Sequence, residues 1–385
     1  MTALLDGLRV LELAEGVGGP YLGSLLASAG ADVVKVEPPG GDRTRGWTPA
    51  LGEGLSAPFL ALNRNKRGAC LDLASGAFAD AAAKHAARVD VAIVDRGSPA
   101  AQAFPYERAR EVNRGLVYCT ISGFGAEGPM RDDAWGELPA QMLSEATSSL
   151  GVPGEAPVRL GTDVAGMYAG IYGLQAVTAA LISRDVTGEG QQVDVSLLGS
   201  LVAMRSTLWV AQSCPDEWWG FHLDSYTKQP WPGYHCRSGP IYAMVRGAAF
   251  SQGLLEELHM EWARDDPRFP LVLQEGCGPG TRHTDELTPL WERVFAGFTL
   301  DELTEILERY GGQVMAVTDY PSLLGDEGAR AARLVRQIDQ PGLGAVDVVA
   351  PPWTWFDGEE LEERRPAPRL GEHTDEVLRE LEVAG

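Results

Sequence analysis

One carboxylate, Asp163, stands just ahead of the long small-residue run in PVRLGTDVAGMYAGIYGLQAVTAALISRDVTGEGQQVDVSLL, residues 157–198. Two kinds of chemistry suit it. As a helix N-cap, its side-chain oxygens would accept orphan backbone N–H groups. As a nucleophile, kept ionised by the positive end of the helix, it would take up an acyl group as a covalent intermediate. Position alone leaves both readings open. Glu137, ahead of an expected helix over 138–150, is equally ambiguous: an active-site acid or an ordinary first-turn acid.

Few other residues compete for chemistry. The five cysteines, Cys70, Cys119, Cys214, Cys236 and Cys277, are scattered and never spaced CxxC. That fits free thiols in a reducing cytosol better than a disulfide frame or a zinc site. The six histidines form no HxxxH pair, so no metal site is expected. The loop Gly16-Val-Gly-Gly-Pro-Tyr21 approaches a dinucleotide fingerprint, with Glu37 placed to hold a ribose. Tyr21 stands where the third glycine belongs, and a structural tight turn accounts for the loop equally well. A nicotinamide-dependent dehydrogenase would rest on that loop alone. The basic runs Arg43-Thr-Arg45 and Arg64-Asn-Lys-Arg67 could answer phosphates, although solvated loops paired with nearby acids are the simpler account.

Alternating strands and helices must position these groups. Strands are expected at 8–13, 33–37, 69–73, 89–94, 116–122 and 192–198, with helices over 21–29, 106–112 and 138–150. This is the pattern of an α/β fold with a doubly wound parallel sheet, whose ligands sit at the carboxyl ends of the strands. Residues 164–184 read as a helix buried all round. Its Gly166, Gly170 and Gly173 each cost about 1 kcal/mol against alanine, which implies that another backbone packs very close. A run of about 20 apolar residues also suits a membrane span. Gln175, Thr178 and the flanking Asp163, Arg184 and Asp185 favour a protein core instead. Beyond Leu198 a tryptophan-rich stretch leads into a smaller α+β region, with helices at 287–295 and 301–310 and a strand at 314–317. The tail carries a short helix over 374–381 and would turn back toward the N-terminal half.

With 385 residues the chain is long for one core and suggests two domains, one inserted in the other. A hydrophobic share of 44% with 22% charged residues indicates a globular chain. The net charge of -22 repels nucleic acid and anionic membrane, so neither is expected as a partner.

Several pieces, taken in order, resemble the class III CoA-transferase family, which includes formyl-CoA transferase, carnitine CoA-transferase and the α-methylacyl-CoA racemases. They are GADVVKVEPPGGDRTR at 30–45, NRNKRGACLDL at 63–73, GLVYCTISGFGAEGP at 115–129, Asp163 with its helix, TGEGQQVDVSLL at 187–198, DPRF at 266–269 and APRLGEHTDEVL at 367–378. The resemblance implies a Rossmann-like large domain built from both chain ends, 1–205 and 316–385. It implies a linker at 206–230, a small α+β domain at 231–315 and an interlocked homodimer. It further implies that coenzyme A enters as an acyl-CoA substrate and that Asp163 is the catalytic aspartate. That residue would form a mixed anhydride, then an aspartyl-CoA thioester, and pass CoA to an acceptor carboxylic acid.

Glu137 matches an active-site glutamate of the formyl-CoA transferases. Gly16 and Val17 match residues that approach CoA, and Leu71 an apolar contact near adenine. The family's Asn-Phe pair in a CoA-contacting loop is Asp95-Arg96 here, so Arg96 is expected to supply charge to CoA. Racemases of the family pair the aspartate with a histidine where Gly136 stands in this chain. CoA transfer is therefore expected, with acyl-CoA epimerisation as the alternative and a non-catalytic CoA-binding role as a third reading.

Overall fold

Short strands that are apolar on both faces can be buried only between two layers of helices, and that is what forms here. The computed structural model describes the chain except residues 1–3, 53, 134–135, 148–155, 212–232, 245–250, 267–283, 354–364 and 383–385. The first part of the chain runs β1 (Arg9–Leu13), α1 (Gly18–Ser28), β2 (Asp32–Glu37), β3 (Ala50–Gly52), β4 (Leu55–Ser56), α2 (Ala57–Asn63) and β5 (Arg67–Cys70). It continues with α3 (Gly76–Ala86), β6 (Val91–Asp95), α4 (Pro99–Ala103), α5 (Tyr106–Val112), β7 (Val117–Ser122), α6 (Glu137–Leu143), α7 (Val164–Thr187), β8 (Gln192–Ser196) and α8 (Leu197–Met204).

Six of these strands make one parallel sheet in the order β5-β2-β1-β6-β7-β8. The chain moves outward from β1 in one direction and then restarts at β6 on its other side. The crevice at that reversal, above the carboxyl ends of β1 and β6, is where such sheets bind ligands. One face of the sheet packs on α1 and α7, the other on α3, α5 and the C-terminal helix Thr374–Glu382. Arg67 fastens that last helix, pairing with Glu376 at 2.9 Å and Glu380 at 2.7 Å as well as with Asp32.

Two of the three glycines of α7, Gly166 and Gly170, meet the backbone at the start of α1, and Gly173 meets the Leu22 side chain. A Cβ on Gly166 would lie 2.7 Å from Cβ of Val17, and one on Gly170 would lie 3.1 Å from the backbone nitrogen of Leu22. One on Gly173 would lie 3.0 Å from a methyl of Leu22. The glycine face of α7 is therefore a slot for the start of α1. The expectation of burial all round is corrected: Ile171, Ile182 and Val186 on α7 are 37%, 63% and 85% exposed. Small residues were needed on one face only, and the remaining apolar face stays open in the single chain. By length and composition α7 could cross a membrane, but its glycine face is packed within the protein.

On the side facing α1 and α7, the strands are apolar low down, with Val10, Val33, Val91 and Ile93. At the carboxyl ends the same alternation places Glu12, Lys35, Glu37 and Asp95, all buried. Lys35 lies 3.0 Å from Glu12 and 2.8 Å from Asp42, and Lys66 lies 2.8 Å from Glu12. Arg45 grips Glu37 with two hydrogen bonds of 2.6 and 2.7 Å and sits 3.6 Å over the ring of Phe59. Lys66 and Arg67 are thus not on a solvated loop, and Glu37 has no oxygen to offer a ribose. Burial pushes the Asp95 carboxyl up to about 7, and its Oδ1 has no hydrogen-bond partner.

Boundaries moved where tertiary contacts overrode local pattern. β5 begins at Arg67 rather than Ala69, because the arginine side chain is held by three acids. The helix expected over 138–150 ends at Leu143, and the strand expected to reach Leu198 ends at Ser196, whose hydroxyl caps α8. A hairpin of Val335–Gln340 and Gly344–Val349 in the returning tail was not expected. Cys70, Cys119 and Cys236 are free thiols; Cys214 and Cys277 lie outside the described residues.

The chain divides into two compact units, one of Met1–Leu150, Pro157–Trp218 and Glu327–Gly385, the other of Gly151–Ala156 and Trp219–Asp326. The second has its own three-stranded antiparallel sheet of Tyr234–Cys236, Gly239–Met244 and Gln313–Ala316, packed on helices that include Leu300–Arg309 with its Thr299/Glu302 capping box. Tyr234, Trp291 and Phe295 are buried in its core, so these aromatics are packing residues. Of the expected linker at 206–230, Ser206–Ala211 is helical and residues 212–230 lie outside the described residues, as do DPRF beyond Asp266 and Gly276–Gly280.

Two outcomes follow. Gly170→Ala gains about 1 kcal/mol of helix propensity but forces α1 and α7 apart. A net loss of about 1–2 kcal/mol in urea unfolding is expected, and unchanged stability would show that the slot is loose. For Asp95 the folded value lies above the ordinary carboxylate value of 3.8. The native state therefore holds a proton that the unfolded chain releases, and the stability it brings is lost as pH rises through about 7. Asp95→Asn removes that dependence. Its melting temperature relative to wild type should climb by roughly 2–6 °C between pH 5 and 8, and parallel melting curves across that range would refute the burial cost.

Candidate active site

The first turn of a helix has backbone N–H groups with no partner inside the helix. An aspartate in the N-cap position ordinarily takes the second and third of them. In α7 those are Ala165 and Gly166, and Asp163 occupies the cap position without any side-chain capping bond. Glu137 has taken its place: Oε1 accepts from Ala165 N–H at 2.8 Å and Oε2 from Gly166 N–H at 2.9 Å. The Val164 N–H turns back to the Thr162 carbonyl at 2.9 Å, and the Met167 N–H bonds the Asp163 carbonyl at 3.0 Å. With φ -82° and ψ 63°, Asp163 is the centre of an inverse γ-turn. Every donor of the turn is satisfied, and none of them uses the Asp163 carboxylate.

Glu137 is therefore neither an ordinary first-turn acid of its own helix nor an open carboxylate. Its Oε1 also accepts from Gln141 Nε2 at 2.7 Å. Gln141, fully buried, accepts from Leu160 N–H at 3.1 Å and donates to the Thr162 carbonyl at 3.3 Å. Gln141 was missed in the sequence. Its spacing one turn after Glu137 in ELPAQ was the available signal, since residues four apart on a helix meet. Asp163 itself is 27% exposed, and its Oδ1 meets Arg159 at 3.2 Å in an exposed pair of small energetic value.

The glycine loop lies beside this turn. Val17 touches Gly166, and a Cβ on Gly18 would lie 3.6 Å from the Gly166 carbonyl. Gly16 has a φ of +81°, and its N–H donates to Asp42 Oδ1 at 3.2 Å, while the Glu15 N–H donates to Asp95 Oδ2 at 2.8 Å. Two buried carboxyl groups thus pin the loop over the crevice. The exposed Arg43 guanidinium occupies the space where a Gly16 side chain would be. Of the two arginines in the 43–45 run, Arg45 is built into the interior and Arg43 is exposed beside Gly16.

The expected site residues divide accordingly. Asp163, Glu137, Val17 and Gly16 are brought into one neighbourhood at the carboxyl edge of the sheet. Leu71 follows β5 at the far end of that edge and packs partly buried against the opposite helical layer. Arg96, after β6, is engaged: it pairs with Asp194 at 2.7 Å, and Asp194 in turn accepts from the Ser122 hydroxyl at 2.8 Å. The charge expected from Arg96 is therefore partly neutralised within the sheet edge.

The profile of CoA-transferase family III matches residues 5–374. A succinate–glutarate CoA-transferase of Agrobacterium fabrum is 30% identical over 98% of this chain and 96% of its own. A succinyl-CoA:mesaconate CoA-transferase of Haloarcula hispanica is 29% identical over 98% of this chain and 96% of its own. Among solved structures, a CaiB/BaiF family protein from Brucella suis superposes with a TM-score of 0.84 at 26% identity, covering 99% of this chain and 100% of that one. The match spans the sheet, the glycine loop and the Asp163 turn alike, and the chain belongs to CoA-transferase family III.

Proposed function

We propose that this CoA-transferase moves CoA between short dicarboxylic acids, with Asp163 as the covalent relay. The observation that carries the reading is the Asp163 carboxylate left uncapped at the head of α7, beside the glycine loop. The acids named for the relatives, succinate, glutarate and mesaconate, supply the substrate class.

The steps balance without any outside reagent. Asp163 attacks the thioester carbonyl of the donor, the C–S bond breaks, and CoA leaves as thiolate with a mixed anhydride behind it. The thiolate attacks the aspartyl carbonyl, and the donor acid departs as carboxylate. The acceptor carboxylate attacks the aspartyl thioester and frees the thiolate again. That thiolate attacks the acceptor acyl carbon and returns Asp163 as a carboxylate. The Ala165 and Gly166 N–H groups are occupied by Glu137, so they are not the oxyanion donors. The positive end of α7 and Arg159 are the favourable charges nearest the reacting carbonyl.

A second copy of the chain is the partner that fits the open face of α7. Around that face α6 and α8 also expose Leu138, Met142, Leu143 and Met204, and the following helix exposes Trp209 and Val210. So many exposed apolar side chains on neighbouring helices mark an interface.

Turnover of succinyl-CoA with glutarate in the presence of hydroxylamine should leave a hydroxamate on the Asp163 peptide. Asp163→Asn should lower kcat by roughly 10³-fold or more. An unlabelled peptide under turnover rejects the relay, and solvent deuterium at the α-carbon without acceptor acid would mark epimerisation instead. Light scattering should give twice 41.3 kDa for the protein and a smaller particle for Ile182→Glu; a monomeric wild type would rule out the second copy.

A further inference from the structure

We propose that Glu137 and Gln141 are positioning residues for Asp163: by taking over the hydrogen bonds of the α7 terminus, they keep the nucleophile out of the cap. The proposal rests on the reading of Asp163 as the relay. Glu137 and Asp163 compete for the same two donors, Ala165 and Gly166, and the structure shows Glu137 holding both. If Asp163 turned inward to take them, its oxygens would point along the helix axis. Two amide hydrogen bonds would also withdraw the electron density that attack on a thioester requires.

Gln141 makes the exchange stable. Its amide orients Glu137 from one side, and the same side chain grips the approach to Asp163 at Leu160 and Thr162. All of this lies on a side chain that water does not reach, so the geometry is set by protein groups alone. The bonds placed on either side of the γ-turn hold the aspartate aimed outward. Neither residue needs to touch substrate.

The test separates positioning from catalysis and from mere stability. With Glu137 present, Asp163→Ala should move the thermal midpoint by no more than about a degree, because no cap is lost. In a Glu137→Ala background Asp163 becomes the cap, and the same Asp163→Ala change should lower the midpoint by a few degrees. Equal shifts in the two backgrounds would overturn the proposal. In turnover, Glu137→Gln should lower kcat by roughly 10- to 100-fold while KM for acyl-CoA stays within about threefold. Wild-type kcat for Glu137→Gln would equally refute it. Should Glu137→Ala fail to fold, Gln141→Met, which leaves the cap acid in place, should lower kcat with KM for acyl-CoA held within about threefold, or sink the idea. Coupling of the two positions in stability, without any acyl label on Asp163 in wild type, would defeat the relay reading and leave the exchange of caps standing.

Discussion

Backbone donors at a helix terminus must be bonded by something, and which group bonds them determines what Asp163 is free to do. A capping aspartate is worth about 0.5–2 kcal/mol to a helix, so evolution of a reactive carboxylate at that position has to replace what the cap supplied. Here a second carboxylate reaches in from α6 and binds the same two N–H groups, so α7 keeps its satisfied terminus and its favourable charge. The glycine slot depends on this arrangement too. Gly166 donates its N–H to Glu137 while its missing side chain lets Val17 approach, so one residue joins the capped turn to the loop above the crevice.

The carboxyl edge of the sheet is held by charge rather than by apolar packing. Three cations, Lys35, Lys66 and Arg45, are matched by three buried carboxylates, Glu12, Asp42 and Glu37. Such a set adds little net stability over well-packed apolar residues, but losing one member strands its partner in the interior at a cost of about 3–5 kcal/mol. What the set provides is geometry. Asp42 is tied to Lys35, and through its other oxygen it holds the Gly16 N–H, so the height of the glycine loop over the sheet follows from a buried ion pair. Asp95 holds the neighbouring Glu15 N–H of the loop, and its burial outweighs the pull of that bond and of Arg43 and Lys35, which pushes its carboxyl up to about 7.

Much of this was legible in the sequence, for identifiable reasons. Short strands apolar on both faces, separated by helical periodicity, dictate a parallel sheet between two helical layers, and the three glycines dictate a close helix crossing. Those are local patterns. Glu12, Lys35 and Glu37 were equally visible as charges at inward strand positions, yet the meaning of each depends on the other two and on Asp42 and Lys66, which arrive from distant loops. The same holds for Arg45, whose neighbour Arg43 has the same residue type and the opposite environment. Local pattern assigned Asp163 two roles and Glu137 two roles. Only the long-range bond between α6 and α7 shows that Glu137 performs the first of Asp163's two roles, so the Asp163 carboxylate is not spent on the cap.

An anhydride relay also has to be kept from water, because hydrolysis of either the anhydride or the thioester discards the energy that transfer conserves. In the single chain Asp163 is 27% exposed, too open for that purpose. The helix whose Glu137 and Gln141 anchor its turn also carries exposed apolar residues: Leu138, Met142 and Leu143 stand 42%, 58% and 51% exposed. Apolar surface that costs stability in the free chain, placed beside a carboxylate that must react dry, has a physical purpose only once it is covered. Covering by a second copy would satisfy both needs with one contact, burying the open face and closing the reacting carboxylate to solvent. Under the proposed relay and second copy, dimerisation and dry chemistry become one requirement, met at the open face of α7.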